Sequence, residues 1–199
     1  ALIRENLKSS GIGNLIETQS FDNFDLSHYR ENEEDFRRMT QNFEAAKSYA
    51  ENFPGKRGNL LLIGPTGTGK THISTAIAKT VISQGFDVLY DSIQNILSAF
   101  EYDRFRAGYG QEEPTAKKYL DVTLLVIDDL GTEFTNAFTV SVLYNLLNER
   151  ANRGLSTVIS TNLSVKKLTE IYEDRIYSRM IGSQYQILQF AGKDYRLYH

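Results

Sequence analysis

Leu60-Leu61-Leu62-Ile63-Gly64-Pro65-Thr66-Gly67-Thr68-Gly69-Lys70-Thr71 is an apolar run that breaks into a glycine loop and then into a helical pattern. Residues 64–71 match G-x-x-x-x-G-K-[ST] at every fixed position, the pattern of a loop that cradles phosphate. Gly64, Gly67 and Gly69 can take backbone angles closed to other residues, so successive amides can turn inward around an anion. Pro65, Thr66 and Thr68 complete the loop, and His72 follows it. A helix starting near Lys70 aims its unpaired N–H groups and positive dipole end at the same point. Lys70 adds a full charge between the β- and γ-phosphates, and Thr71 offers a hydroxyl to Mg²⁺. The plainer alternative is a glycine-rich turn with a surface lysine. The strand before and the helix after weigh against it, and a nucleoside triphosphate is the expected ligand.

Working outward, residues 71–83 continue as a helix with Ile73, Ala76, Ile77 and Val81 inward and Gly85 as its stop. Upstream, residues 31–53 repeat Phe36, Met39, Phe43, Ala46, Tyr49, Ala50 and Phe53 at three- and four-residue intervals. That is an amphipathic helix, and Pro54-Gly55 ends it. Residues 1–28 carry only weak periodicity and are expected to form an extended arm, in which Phe21 and Phe24 need burial.

Downstream, residues 87–91 form a second strand, and Ser92 caps a helix through Ile93, Ile96, Leu97 and Phe100. Residues 106–116 are polar and irregular. Residues 122–127 lack alternation, as a strand buried on both faces does, and end in Asp128-Asp129. An amphipathic helix over 136–153, a strand over 156–160, short helices within 165–180 and a strand over 185–190 complete the chain. Strand and helix alternate, so the fold class is α/β, with a parallel sheet covered on both faces.

The 199 residues suffice for one such domain with a sizeable core. Net charge is −3, so no global basic field draws nucleic acid, and any such contact needs a local patch. There is no cysteine, hence no disulfide and no cysteine-ligated zinc, which fits a cytoplasmic location. No apolar run approaches the length of a membrane span, so no membrane partner is expected. The chain opens on Ala1 rather than Met, which points to a longer natural protein.

Ligands of open parallel sheets collect at the carboxyl ends of the strands. One strand end delivers the loop. A second delivers Asp128, suited to an Mg²⁺ shared with Thr71 and the phosphates, and Asp129, which could orient or deprotonate the attacking water. Glu133 is a nearby alternative for the base. A third strand end delivers Asn162, whose amide could hydrogen-bond the γ-phosphate or the water. His72, taken alone, is a packing or surface residue.

The order GPTGTGKT (64–71), LLVIDD (124–129), STN (160–162) and Asp174-Arg175-Ile176-Tyr177-Ser178-Arg179-Met180 resembles the AAA+ ATPases of the DnaC/IstB type. These are bacterial replicative helicase loaders and transposition helper ATPases, with the DnaI-like loaders close by. The resemblance covers nearly the whole chain. It implies a P-loop NTPase three-layer sandwich with a mostly parallel five-stranded sheet, an N-terminal arm over 1–30 and the ATPase domain over 31–199. It implies ATP and Mg²⁺ as ligands, Lys70 and Thr71 as the Walker A pair, Asp128 and Asp129 as the Walker B pair, and Asn162 as sensor 1. Arg175 or Arg179 becomes an arginine finger, reaching a neighbouring subunit's γ-phosphate within a nucleotide-bridged oligomer. The implied partner is a replicative DNA helicase, gripped through an N-terminal module expected outside this chain.

Two departures qualify the resemblance. Asp129 stands where many AAA+ proteins have Glu, so hydrolysis is expected to be slow. Nine residues follow Phe190, so the helical lid is expected to be absent or rudimentary, with Arg196 a weak substitute for its arginine. Phe100, Tyr102, Arg104, Phe105, Arg106 and Tyr109 interleave aromatics with arginines, a pattern that suits single-stranded DNA; a helix end with core aromatics explains it as well. The rival functions are a small-molecule P-loop kinase and a non-hydrolysing adaptor.

Overall fold

Each of the five strand-forming runs becomes a strand, and all four pairings between them are parallel. The structure, a computed structural model, describes residues 13, 15–55, 58–106, 113–172, 176, 178 and 185–194. In chain order come α1 (Leu15–Thr18), α2 (Glu33–Glu51), β1 (Asn59–Ile63), α3 (Lys70–Ser83), β2 (Val88–Ser92) and α4 (Ile93–Arg106). Then follow α5 (Lys117–Asp121), β3 (Leu124–Leu130), α6 (Ala137–Asn152), β4 (Ser156–Thr161), α7 (Val165–Ile171) and β5 (Tyr185–Gln189). The strands stand in the order β2-β3-β4-β1-β5. The sheet is entirely rather than mostly parallel, because helix stands in every connection between strands.

Successive strand residues point to opposite faces, and that alternation builds two cores. Leu60, Leu62, Tyr90, Val126, Val158 and Leu188 join α2 and α3 on one side. Leu61, Ile63, Leu89, Leu125, Ile127 and Ile159 join α4 to α7 on the other. The result is a three-layer sandwich. Local chemistry sets the helix starts. Asn32 accepts from Glu34 N at 2.9 Å to open α2, and Asn136 and Thr139 form a capping box at α6.

Three features depart from the sequence expectations. The segment expected to be an extended arm is helical from residue 15, with α1 followed by 3₁₀ turns at Phe21–Asn23 and Leu26–Tyr29. Phe21 and Tyr29 are buried in the core with α2 and α3. These turns are held by short side-chain bonds, such as Ser27 N to Asp25 Oδ1 at 2.8 Å, which leave no apolar period to read. Helix α5 follows the stretch read as irregular, and Asp103 anchors its entry by accepting from Thr115 N and Ala116 N at 2.9 and 2.7 Å. Strand β3 continues through the acid pair to Leu130.

Near the end of the sheet where β3 and β4 begin, Arg150 of α6 is fully buried. It donates to Thr157 Oγ1 at 3.0 Å, to Tyr119 O and Val122 O at 2.9 Å, and to Ser156 O at 2.5 Å. Burial pulls its guanidinium down to about 10, which leaves it charged at neutral pH. Among the described residues, no helix is long and apolar enough to cross a membrane.

Candidate functional site

The chain leaves β1 at Ile63 and reaches α3 at Lys70 through a loop whose glycines serve two different ends. Gly67 and Gly69 sit at φ of +75° and +86°, in the left-handed region. A Cβ on Gly67 would lie 1.8 Å from the Asp194 carboxylate, and one on Gly69 would lie 2.8 Å from the Phe24 ring. Gly64 does not share that backbone conformation, contrary to the sequence reading. It is glycine for space: a Cβ there would lie 2.4 Å from the Phe190 carbonyl oxygen, which follows β5 directly.

Lys70 is buried, and its Nζ donates to Gly64 O and Pro65 O, each at 2.7 Å. The ammonium therefore lies against the loop's own carbonyls, while Thr68 Oγ1 donates to Pro65 O at 2.7 Å and tightens the turn. The N-terminal turns brace the loop from outside. Tyr29 Oη donates to Thr68 O at 3.0 Å, and the Phe24 ring stacks on Tyr29 and meets His72 edge-on. His72 Nε2 lies 2.9 Å from Ser20 O and 3.0 Å from Asn23 Oδ1. Both partners are acceptors, so Nε2 carries the proton. Partial burial holds the His72 pKa below the ordinary histidine range.

The acid pair is split by a bulge. Pairing with β4 is regular to Ile127 and resumes at Leu130, and Asp129 between them takes φ of +56°. Asp128 pairs with Ser92 in β2 and is held by two hydroxyls: Tyr90 Oη donates to Oδ2 at 2.7 Å, and Ser160 Oγ donates to Oδ1. Burial first, and then the Asp128 charge, push the Tyr90 phenol upward, which keeps it a donor. Ser160 Oγ also accepts from Asp129 N at 3.1 Å, so one hydroxyl orients both acids. Glu133 is turned elsewhere. Its Oε2 accepts from Gly131 N at 2.7 Å, and its Oε1 accepts from Tyr172 Oη.

A cavity of about 410 Å³ opens at this strand edge, lined by Thr66, Gly67, Gly69, Lys70, Thr71, His72, Asp129 and Asn162, with Gln19 beside them. Loop, second acid and asparagine thus line one cleft. Asp128 stands outside the lining, as do Glu133, Gly64, Pro65 and Thr68. Arg175, Arg179 and Arg196 lie outside the described residues. An ammonium, glycine backbone and a carboxylate in one cleft suit a polyanion carrying a divalent cation. Tyr90, Tyr29 and Gln19 carry no motif signal. Ser160 could have been found as the residue two before Asn162 on a strand beside β3.

The aromatic and arginine segment is partly surface. Phe105 is 73% exposed and Tyr102 is 49% exposed, while Phe100 packs against the second core. Arg106 lies over the Tyr102 ring and Arg104 over Phe138, at 5.2 and 5.1 Å from the ring centres.

Comparison with known proteins agrees with this geometry. The family described as IstB-like ATP binding protein matches residues 8–199. The replicative helicase loader DnaC of Escherichia coli K12 is 28% identical over 205 residues, covering 98% of this chain and 80% of that protein. Among solved structures, the DnaC helicase loader superposes with a TM-score of 0.74 at 19% identity, covering 88% of this chain and 98% of that one. DnaI gives 0.67 at 21% identity, covering 91% and 92%. The fold is that of the AAA+ P-loop ATPase domains, and with a family match across almost its full length, the chain belongs to the IstB-like ATP-binding proteins.

Proposed function

We propose that this chain binds Mg²⁺-ATP in the 410 Å³ cleft, hydrolyses it slowly, and uses the nucleotide as an assembly switch in loading a replicative DNA helicase. The observation that carries the reading is the meeting of the phosphate loop, Asp129 and Asn162 in one cavity. The DnaC relatives, which are named as helicase loaders, supply the biology. Gly64 to Thr71 with His72 is the nucleotide-binding segment, and Lys70 neutralises the β- and γ-phosphates as charge develops.

Thr71 lines the cleft and Asp128 directly precedes the lining residue Asp129 on β3, and these two supply the oxygens offered to a magnesium ion. Among the described residues no cluster of three or more His, Cys, Asp or Glu side chains stands ready for a metal. Mg²⁺ needs none, since it takes one or two protein oxygens and completes its shell with phosphate and water. Thr71 and Asp128 would hold it, and when bound it supplies charge neutralisation on the phosphate oxygens. Asp129, set apart by its bulge, accepts the proton of the attacking water, and Asn162 orients that water. Arg175 or Arg179 acts in trans as the finger, because a guanidinium can contact several phosphate oxygens at once.

The family's description favours a second reading, a transposition helper of the IstB kind. Capture from the host separates the two: recovery of a replicative helicase supports the loader, and recovery of a transposase replaces it. ATPase assays with and without single-stranded DNA test the chemistry. Lys70→Ala is expected to be inactive, and Arg179→Ala mixed with wild type is expected to poison activity beyond simple dilution. Activity in proportion to the wild-type fraction would remove the finger in trans.

A further inference from the structure

Asp129 holds a left-handed backbone, at φ of +56°, which a residue with a Cβ keeps only where its neighbours impose it. The turn that follows supplies those neighbours. Thr132 N and Oγ1 donate to Asp129 O at 3.2 and 2.8 Å, and Thr161 Oγ1 donates to Leu130 O at 2.7 Å. The next peptide group, at Gly131 N, donates to Glu133 Oε2 at 2.7 Å. The other oxygen of Glu133 accepts from Tyr172 Oη, 39 positions along the chain. Tyr172 directly follows α7 and is buried in the second core. Burial first, and then Glu133, push its phenol upward, which keeps it a donor. One carboxylate thus ties the turn behind Asp129 to an anchor outside that turn.

We infer that Glu133 is a positioning residue for ATP hydrolysis: through Gly131 and Tyr172 it holds the turn that keeps Asp129 on the cleft. This rests on the hydrolysis reading, in which Asp129 accepts the proton of the attacking water, and adds the group that sets that acid. Glu133 stands outside the cleft lining, and its two oxygens are taken by Gly131 N and Tyr172 Oη. It acts through Asp129 and not on the water. An aspartate carboxylate sits one methylene from its backbone and follows any shift of it closely. A misplacement of about 1 Å can slow a reaction about a hundredfold. Nucleotide binding, which belongs to the phosphate loop, does not depend on that placement.

Single-turnover ATP hydrolysis and equilibrium binding of a non-hydrolysable ATP analogue test this. The proteins are wild type, Tyr172→Phe, Glu133→Ala, Glu133→Gln and the double variant Tyr172→Phe with Glu133→Ala. Tyr172→Phe is expected to hydrolyse about tenfold more slowly, the effect of one lost hydrogen bond, and Glu133→Ala about a hundredfold more slowly. The double variant should be no slower than Glu133→Ala, because Tyr172 acts only through Glu133. Every variant should bind the analogue within about twofold of wild type. Glu133→Gln should recover most of the rate, since its oxygen still accepts from Gly131 N and its amide can donate to the Tyr172 hydroxyl oxygen. A proton-accepting base cannot be replaced in that way. Glu133→Gln as slow as Glu133→Ala, Tyr172→Phe at the wild-type rate, or losses that multiply in the double variant would each overturn the inference. Wild type that binds the analogue and hydrolyses no ATP overturns the hydrolysis reading itself, a separate result.

Discussion

Tyr90 Oη donates to Asp128 Oδ2 at 2.7 Å and lies 3.0 Å from Ser74 Oγ. One phenol thus joins β2, the acid at the end of β3, and the helix that begins in the phosphate loop. With Ser160 on the other carboxylate oxygen, Asp128 is fixed by two hydroxyl donors from the strands on either side. A carboxylate held this way is already oriented before a metal arrives.

Tyr90→Phe should therefore weaken the metal dependence of nucleotide binding by about tenfold, in line with losses on removing a partner of a metal ligand. Binding without Mg²⁺ should change little. Titrating Mg²⁺ against a fixed concentration of ATP analogue measures both. Urea unfolding should show a cost of about 1 kcal/mol for the lost hydrogen bond.

The two kinds of glycine in the loop should fail differently. Gly67→Ala places a Cβ at a left-handed backbone position and against Asp194. The strain, about 1–2 kcal/mol, falls on the loop. Analogue binding should be lost while the thermal midpoint moves by only a few degrees. Gly64→Ala meets the backbone of Phe190, so β5 must shift and the thermal midpoint should fall further.

Arg150→Met leaves Tyr119 O, Val122 O and Ser156 O without their buried donor. The expected loss is roughly 3–4 kcal/mol, since several desolvated acceptors go unpaired together. Arg150→Lys should recover little, because an ammonium cannot span four acceptors set out for a planar fork. Nucleotide affinity of the folded protein should stay as it is, the site being at the other end of β3 and β4.

His72 makes a pH prediction whose sign follows from burial. Its folded-state pKa is lowered from 6.5. The unfolded state thus binds protons that the folded state resists. The neutral ring's contribution is fully present above about pH 6.5 and is lost as pH falls toward the folded value. Denaturant midpoints measured from pH 8 to pH 5 should decline, and His72→Gln should flatten that part of the decline.

Much of this was legible in the sequence, for identifiable reasons. Leu60–Ile63 and Leu124–Ile127 lack alternation because helices cover both faces of the sheet, so their burial could be read directly. The loop's spacing fixed Lys70 and Thr71, and the strand ends fixed Asp129 and Asn162 at the same edge. What escaped were contacts without periodicity. The turns at Phe21–Asn23 and Leu26–Tyr29 are set by side chains bonding nearby backbone, and nothing in their spacing announces Tyr29 Oη on the Thr68 carbonyl. Tyr90 read as an ordinary strand residue because its partner lies 38 positions away. Gly64 was given the wrong reason, since its neighbour Phe190 is close only after β5 docks beside β1.

The central claim is that Lys70 and Asp128 together hold a metal-bound triphosphate. Calorimetric titration with a non-hydrolysable ATP analogue, with and without Mg²⁺, tests it on wild type, Lys70→Ala and Asp128→Asn. Lys70→Ala should lose roughly 10- to 100-fold in affinity, the worth of a charged hydrogen-bonding group, whether or not Mg²⁺ is present. Asp128→Asn should bind like wild type without Mg²⁺ and lose the gain that Mg²⁺ confers. If both variants titrate as wild type does under both conditions, the claim is contradicted.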